Sequence, residues 1–144
     1  MSYTILGPLA LGGQALPLYS SLVSAGFPSP AADHIEAEIS LDELLNLRAP
    51  HMYIAQAVGD SMIGIGIFDR DWLVVDRSLE VVSGDIVIAA LNNDPLVKRF
   101  HRHGQQIILH AENPAYPPRY ILEGDELRIW GVVTDSIRRH RHHG

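Results

Sequence analysis

Of the eleven basic Lys and Arg side chains in this sequence, ten are arginine and one is lysine, Lys98. Both types carry a surface positive charge, but only lysine sheds its proton readily enough in a protein to act as a base. Lys98 sits in "LVKRF", residues 96–100, where strand alternation puts Leu96, Lys98 and Phe100 on one face and Val97 with Arg99 on the other. Apolar neighbours strip water from an ammonium and favour the uncharged amine, the form able to take a proton. The plainer alternative is that Lys98 runs past those neighbours and keeps its charge in solvent.

A base needs a nucleophile, and with no cysteine in the chain the thiol candidates are gone. Ser61 is the best hydroxyl. It follows a predicted strand over residues 53–58 and a Gly59-Asp60 turn, just ahead of "MIGIGI", whose start suits a short helical turn. That placement exposes the hydroxyl among main-chain N–H groups, those of Asp60 and Ser61, suited to holding an oxyanion. A serine after such a turn also serves simply as a turn or cap residue. Ser61 and Lys98 stand 37 residues apart, and a serine activated by a neutral lysine is an established variant of the serine–histidine arrangement.

The elements that must position this pair are mostly strands. "MYIAQAV" (52–58), "WLVVD" (72–76), "GDIVIAAL" (84–91), "LVKRF", "QQIILHA" (105–111) and "DELRIWGVVTDSI" (125–137) all read as strands. The third and fourth are joined through Asn92, Asn93, Asp94 and Pro95, a hairpin by turn chemistry, and the last two by the Pro-rich loop "ENPAYPPRY". "SLDELLNL" reads as a short helix, with Ser40 and Glu43 in capping-box relation. Residues 1–39 are punctuated by Gly7, Pro8, Gly12, Gly13, Pro17, Gly26, Pro28 and Pro30, which predicts a flexible arm without helix or long strand. The expected fold is mainly β: a compact domain over residues 40–144 with short helices and a flexible N-terminal arm.

Composition narrows the partners. The chain has 144 residues, 47% hydrophobic and 19% charged, enough for one domain with a true core. A formal charge of -6 argues against a face that neutralises DNA phosphates, so direct sequence-specific DNA binding is not expected. No Lys or Arg precedes Arg48 and Gly and Pro interrupt "TILGPLALGG", so neither a signal peptide nor a membrane span is expected, and a cytoplasmic location follows as the default.

In order along the chain, "GFPSPAAD" (26–33), "GDSMIGIGIFDRDWLVVD" (59–76), "SGDIVIAAL" (83–91), "VKRF" (97–100) and "WGVV" (130–133) resemble the UmuD and LexA group of self-cleaving serine proteases, UmuD more than LexA. The resemblance implies a LexA C-terminal-domain-like β fold, Ser61 as nucleophile, Lys98 as general base, and the Ala25–Gly26 bond as substrate, with residues 1–25 removed. It further implies cleavage stimulated by RecA filaments on single-stranded DNA, a homodimer, and a shortened product that joins a UmuC-like Y-family polymerase for error-prone synthesis in the SOS response. No cofactor and no metal are implied. Fourteen residues, 26–39, separate that bond from the predicted helix and span at most about 45–50 Å, enough for cleavage within one chain or across a dimer.

Three other readings compete. A LexA- or phage-type repressor shares the protease domain, but the 25 residues before the cut are too few for a helix-turn-helix and carry no basic residue. Type I signal peptidases also use serine and lysine but usually place proline where this chain has Ile63. The third keeps the fold as an inert binding module. His101 and His103 share a strand face and "RRHRHHG" ends the chain, a pattern open to adventitious metal rather than a functional site. Gly64-Ile65-Gly66 lacks the third glycine of a nucleotide fingerprint and reads as local backbone freedom.

Overall fold

The computed structural model of the chain describes residues 2–8, 15–19, 35–47 and 49–141. In chain order the elements are β1 (Ser2–Pro8), β2 (Ala15–Tyr19), β3 (Ile35–Ser40), α1 (Leu41–Leu44), β4 (Met52–Val58), a 3-10 turn (Ile63–Ile65), β5 (Trp72–Asp76), β6 (Ile86–Leu91), β7 (Asp94–His103), β8 (Gln106–His110), β9 (Arg119–Tyr120) and β10 (Leu127–Ile137). They form two compact units, residues 10–49 and residues 1–9 with 50–144. In the smaller unit β2 pairs antiparallel with β3, and α1 follows directly.

The larger unit is one eight-stranded sheet in the order β1-β4-β5-β10-β6-β7-β8-β9, with every pairing antiparallel. The sheet curls until β1 comes into contact with β7. The β6–β7 hairpin has Asn92 at φ 51° and Asn93 at φ 68°, closed by the Leu91–Asp94 pair. Two left-handed residues match the twist of the flanking strands, and asparagine tolerates that conformation better than other side chains. Strand β10 is the hub, pairing with β6 through its first half and β5 through its second, with register shifts after Ile129 and after Val133. At the first shift sits Gly131, where a Cβ would fall 2.5 Å from Val75 Cγ1. Only glycine lets the strands approach so closely.

Period-two alternation along β6 and β7 sends side chains to two cores. Ile88 and Val97 enter one, with Ala55, Ala57, Met62 and Leu73; Val87, Ala89, Leu91 and Phe100 enter the other, with Leu109. Each fully buried valine or leucine contributes about 1.5–3 kcal/mol, so these two clusters dominate the stability of the sheet.

The six strands expected from residue 52 onward are all present. The mainly β expectation holds, with three differences of detail. Residues 1–39 were expected to hold no helix or long strand, yet the seven-residue β1, β2 and nearly all of β3 lie there. Gly7 and Pro8 are tolerated because β1 is an edge strand, and its register shifts between Ile5 and Gly7. Helix α1 forms, but the Ser40 side chain makes no capping bond, so the capping box is not closed. The Pro-rich loop holds the two-residue strand β9.

Between β4 and β5 the chain makes a long loop, residues 59–71, secured at its base. The Arg138 guanidinium donates to both carboxylate oxygens of Asp71, at 2.9 and 2.8 Å, and to the Gly66 carbonyl at 2.6 Å. It also stacks over the Phe68 ring, 3.9 Å from the centroid. Asp71 is 2% exposed. Burial alone would raise its carboxyl, but the bonds from Arg138 and the Phe68 N–H, with the arginine charge, hold it below the usual value. Higher up, Gly64 donates to the Glu112 carbonyl at 2.7 Å, and a Cβ on Gly64 would fall 2.5 Å from that oxygen.

Two outcomes follow. A carboxyl depressed on folding contributes stability above its unfolded value of about 3.9, and loses it as pH falls through the folded one. Arg138→Ala therefore lowers the urea midpoint more at pH 7 than at pH 3; an equal drop at both would refute the assignment. Gly64→Ala forces the loop away from Glu112 and costs about 1–3 kcal/mol in denaturant titration, whereas Gly66→Asn, with open space and the side chain that best tolerates a left-handed backbone, costs less.

Candidate active site

Lys98 leaves β7 between Leu96 and Phe100, both of the second core, opposite its cross-strand neighbour Val87. Its Nζ donates to Ser61 Oγ at 2.8 Å. The two side chains singled out from the sequence thus meet, although three strands, β5, β10 and β6, lie between β4 and β7 in the sheet. The curl that brings β1, the neighbour of β4, against β7 and the loop after β4 together close that gap.

Ser61 was expected to be exposed, but is fully buried, with Lys98 half-buried beside it. The cause is local. Met62, the next residue, is drawn into the first core, and the segment after β8 is bonded across the loop. Burial lowers the effective dielectric around the amine and the hydroxyl, which strengthens their interaction.

Asp60, expected from the sequence as an oxyanion residue with Ser61, is held from two sides. Its carbonyl accepts from Asn113 Nδ2 at 3.0 Å and from the Ile63 N–H at 3.4 Å. Its carboxylate accepts from the Tyr116 hydroxyl at 2.5 Å. That bond, and then the Asp60 charge, push the Tyr116 phenol above its usual value. The Gly59 N–H is bonded to Asp69 Oδ1 at 2.8 Å. Ala25 and Gly26, the expected cleavage site, lie outside the described residues.

The segment 112–116 was not singled out from the sequence. Besides holding Asp60 and Gly64, it ties to β7: Arg99 Nε donates to Glu112 Oε1 at 2.5 Å, and the Tyr116 ring centroid lies 5.7 Å from Lys98 Nζ. "ENPAY" shows proline and asparagine as turn formers, and no local signal links it to Asp60, 53 positions before Asn113 and 56 before Tyr116.

Elsewhere, a cavity of about 430 Å³ is lined by Tyr53, Arg77, Arg128 and Trp130, and neither Ser61 nor Lys98 borders it. His101 meets His110 edge to face, centroids 4.6 Å apart, while among the described residues no three His, Cys, Asp or Glu side chains converge as metal ligands. Among the described residues no helix is long and apolar enough to cross a membrane.

The Peptidase S24-like family model matches residues 17–134. The LexA repressor of Bordetella avium is 41% identical over 128 residues, 89% of this chain and 59% of that protein. Protein SamA of Salmonella typhimurium strain LT2 is 41% identical over 125 residues, 87% of this chain and 86% of that protein. Protein MucA of Escherichia coli is 37% identical over 127 residues, 88% of this chain and 86% of that protein. The chain thus spans less than two thirds of the LexA relative and most of the other two. With the family model covering most of its length, and a mainly β fold in keeping with that family, the chain belongs to the S24-like peptidases.

Proposed function

We propose that this chain is a serine endopeptidase that cuts its own Ala25–Gly26 bond, with Ser61 as nucleophile and Lys98 as general base. The observation that carries the reading is the 2.8 Å contact between Lys98 Nζ and Ser61 Oγ in a buried setting. The neutral amine takes the serine proton as Oγ attacks the Ala25 carbonyl carbon, and the main-chain N–H groups of Asp60 and Ser61 hold the oxyanion. The ammonium then returns a proton to the Gly26 amine, which leaves, and water hydrolyses the acyl-enzyme. Small residues on both sides of the bond suit a narrow cleft.

On this reading residues 1–39 act as the arm that carries the bond, residues 1–25 are released, and residues 40–144 form the protease and polymerase-binding domain. The resemblance to UmuD, together with the similarity to SamA and MucA, supports a role in SOS mutagenesis. In that role a RecA filament on single-stranded DNA stimulates cleavage, and the product, as a cytoplasmic homodimer, serves a UmuC-like Y-family polymerase as an accessory subunit. The competing reading is an inert module of the same fold that binds the polymerase without cutting.

Mass spectrometry of the purified chain incubated at alkaline pH separates the two. Loss of residues 1–25 is expected, faster as pH rises, since only the unprotonated amine can act as base. Ser61→Ala and Lys98→Ala each slow cleavage by about a thousandfold or more while the circular dichroism spectrum is kept. An intact wild-type chain at every pH leaves the inert module, and a Lys98→Ala chain that still cuts with a flat pH profile removes the base.

A further inference from the structure

Sheet pairing alone does not bring Ser61 to Lys98. Four strand spacings separate β4 from β7, about 19 Å across a flat sheet, so curl and loop must close the distance. A loop thirteen residues long, 59–71, secured at its base by Asp71, is free to pivot at its tip unless something fixes it there. The segment 112–116 does so, and it is the piece of chain that touches both reactive strands' surroundings. Toward the serine, Tyr116 and Asn113 bond the side chain and the carbonyl of Asp60, the residue just before Ser61. Toward the lysine, Glu112 bonds Arg99, the residue just after Lys98, and the Tyr116 ring lies within cation–π range of Nζ.

We propose that Tyr116 is a positioning residue: through its hydroxyl bond to Asp60 it fixes the backbone that carries Ser61 at hydrogen-bond distance from Lys98. The inference rests on the proposed reading of that pair as nucleophile and base. A carboxylate acceptor makes this bond one of the stronger kind, and a serine displaced by less than an ångström from its base loses reaction rate steeply. On this inference Tyr116 acts through Asp60.

The test measures first-order self-cleavage of the full chain across pH, with melting temperature in parallel. Tyr116→Phe keeps the ring and removes the bond, and is expected to cut roughly tenfold more slowly at every pH, without moving the midpoint of the pH profile. Asp60→Ala is expected to lose as much, Asp60→Asn to keep most of the rate because its amide oxygen still accepts, and the Tyr116→Phe/Asp60→Ala double variant to be no slower than the slower single. A wild-type rate in Tyr116→Phe, or an Asp60→Asn chain as slow as Asp60→Ala, overturns the inference, as does a shifted midpoint with an unchanged plateau, which puts the ring's effect on the amine instead. If Tyr116→Phe does not fold, the comparison of the two Asp60 variants decides. A wild-type chain that never cuts defeats the proposed function and not the positioning, which crystal structures of wild type and Tyr116→Phe then read directly. The Ser61 Oγ to Lys98 Nζ separation is expected to open past the usual hydrogen-bond limit of about 3.2 Å, and an unchanged separation overturns the inference.

Discussion

The 2.8 Å contact between one amine and one hydroxyl makes demands on almost every element of the larger unit. Lys98 must be on the correct face of β7, and a one-residue slip of the hairpin would turn it to the other core. The two-residue Asn92-Asn93 turn prevents that slip by fixing which residues pair, Val87 with Lys98 among them. The hydroxyl must arrive from the far side of β5, β10 and β6. That requires a curled sheet, and curl comes from the register shifts in β10, where Gly131 admits the close approach of Val75. Catalytic geometry on this reading is therefore a property of sheet curvature as much as of the two residues.

Curvature sets the coarse distance and the loop sets the fine one. Residues 59–71 are pinned near the base by the Asp71–Arg138 pair and near the tip by the Gly64–Glu112 bond. The two anchors differ in kind. Asp71 is nearly inaccessible and engages two donor groups of one solvent-facing guanidinium, so loss of Arg138 would leave a buried carboxylate without its ion-pair partner. The Gly64 bond is a close backbone contact that any side chain would disrupt. Together they leave the tip little freedom, and burying Met62 removes much of what remains.

What the sequence made legible follows from the range of each interaction. Alternation and turn chemistry are local, so the strands from β4 to β10 other than β9 and the hairpin face of Lys98 could be read from windows of about ten residues, whereas Ser61 reads locally as well as a turn residue and was singled out only with Lys98 and the resemblance. Strand β1 could not, because its pairing with β4 joins residues about fifty positions apart and its Gly7 and Pro8 argue locally for a break. The capping box failed for a related reason: Ser40 is the last residue of β3 as well as the helix cap, and its backbone is extended as both roles require, yet its hydroxyl makes no cap bond. The Asp60 clamp was invisible because "ENPAY" has the composition of any turn, and its partners are set by the tertiary fold. Burial of Ser61 was misjudged on the same ground, since exposure was inferred from the turn and decided by what lies across it.

A fully buried nucleophile is poor at meeting substrates by diffusion, and on the proposed reading this works as selectivity. On this reading a bond carried on the same chain, with residues 26–40 between it and α1, is presented intramolecularly, at an effective concentration of about millimolar whatever the protein concentration. A free peptide must match that concentration and also displace whatever shields the serine. The arrangement then favours one bond in the chain's own arm, or in a partner's arm, over other proteins in the cell, without a deep specificity pocket. The cavity lined by Tyr53 and Trp130 lies away from Ser61 and Lys98. On that reading, selection of substrate by attachment rather than by side-chain recognition also accounts for a bond between two of the smallest residues: there is little for a pocket to hold, and little that must be held.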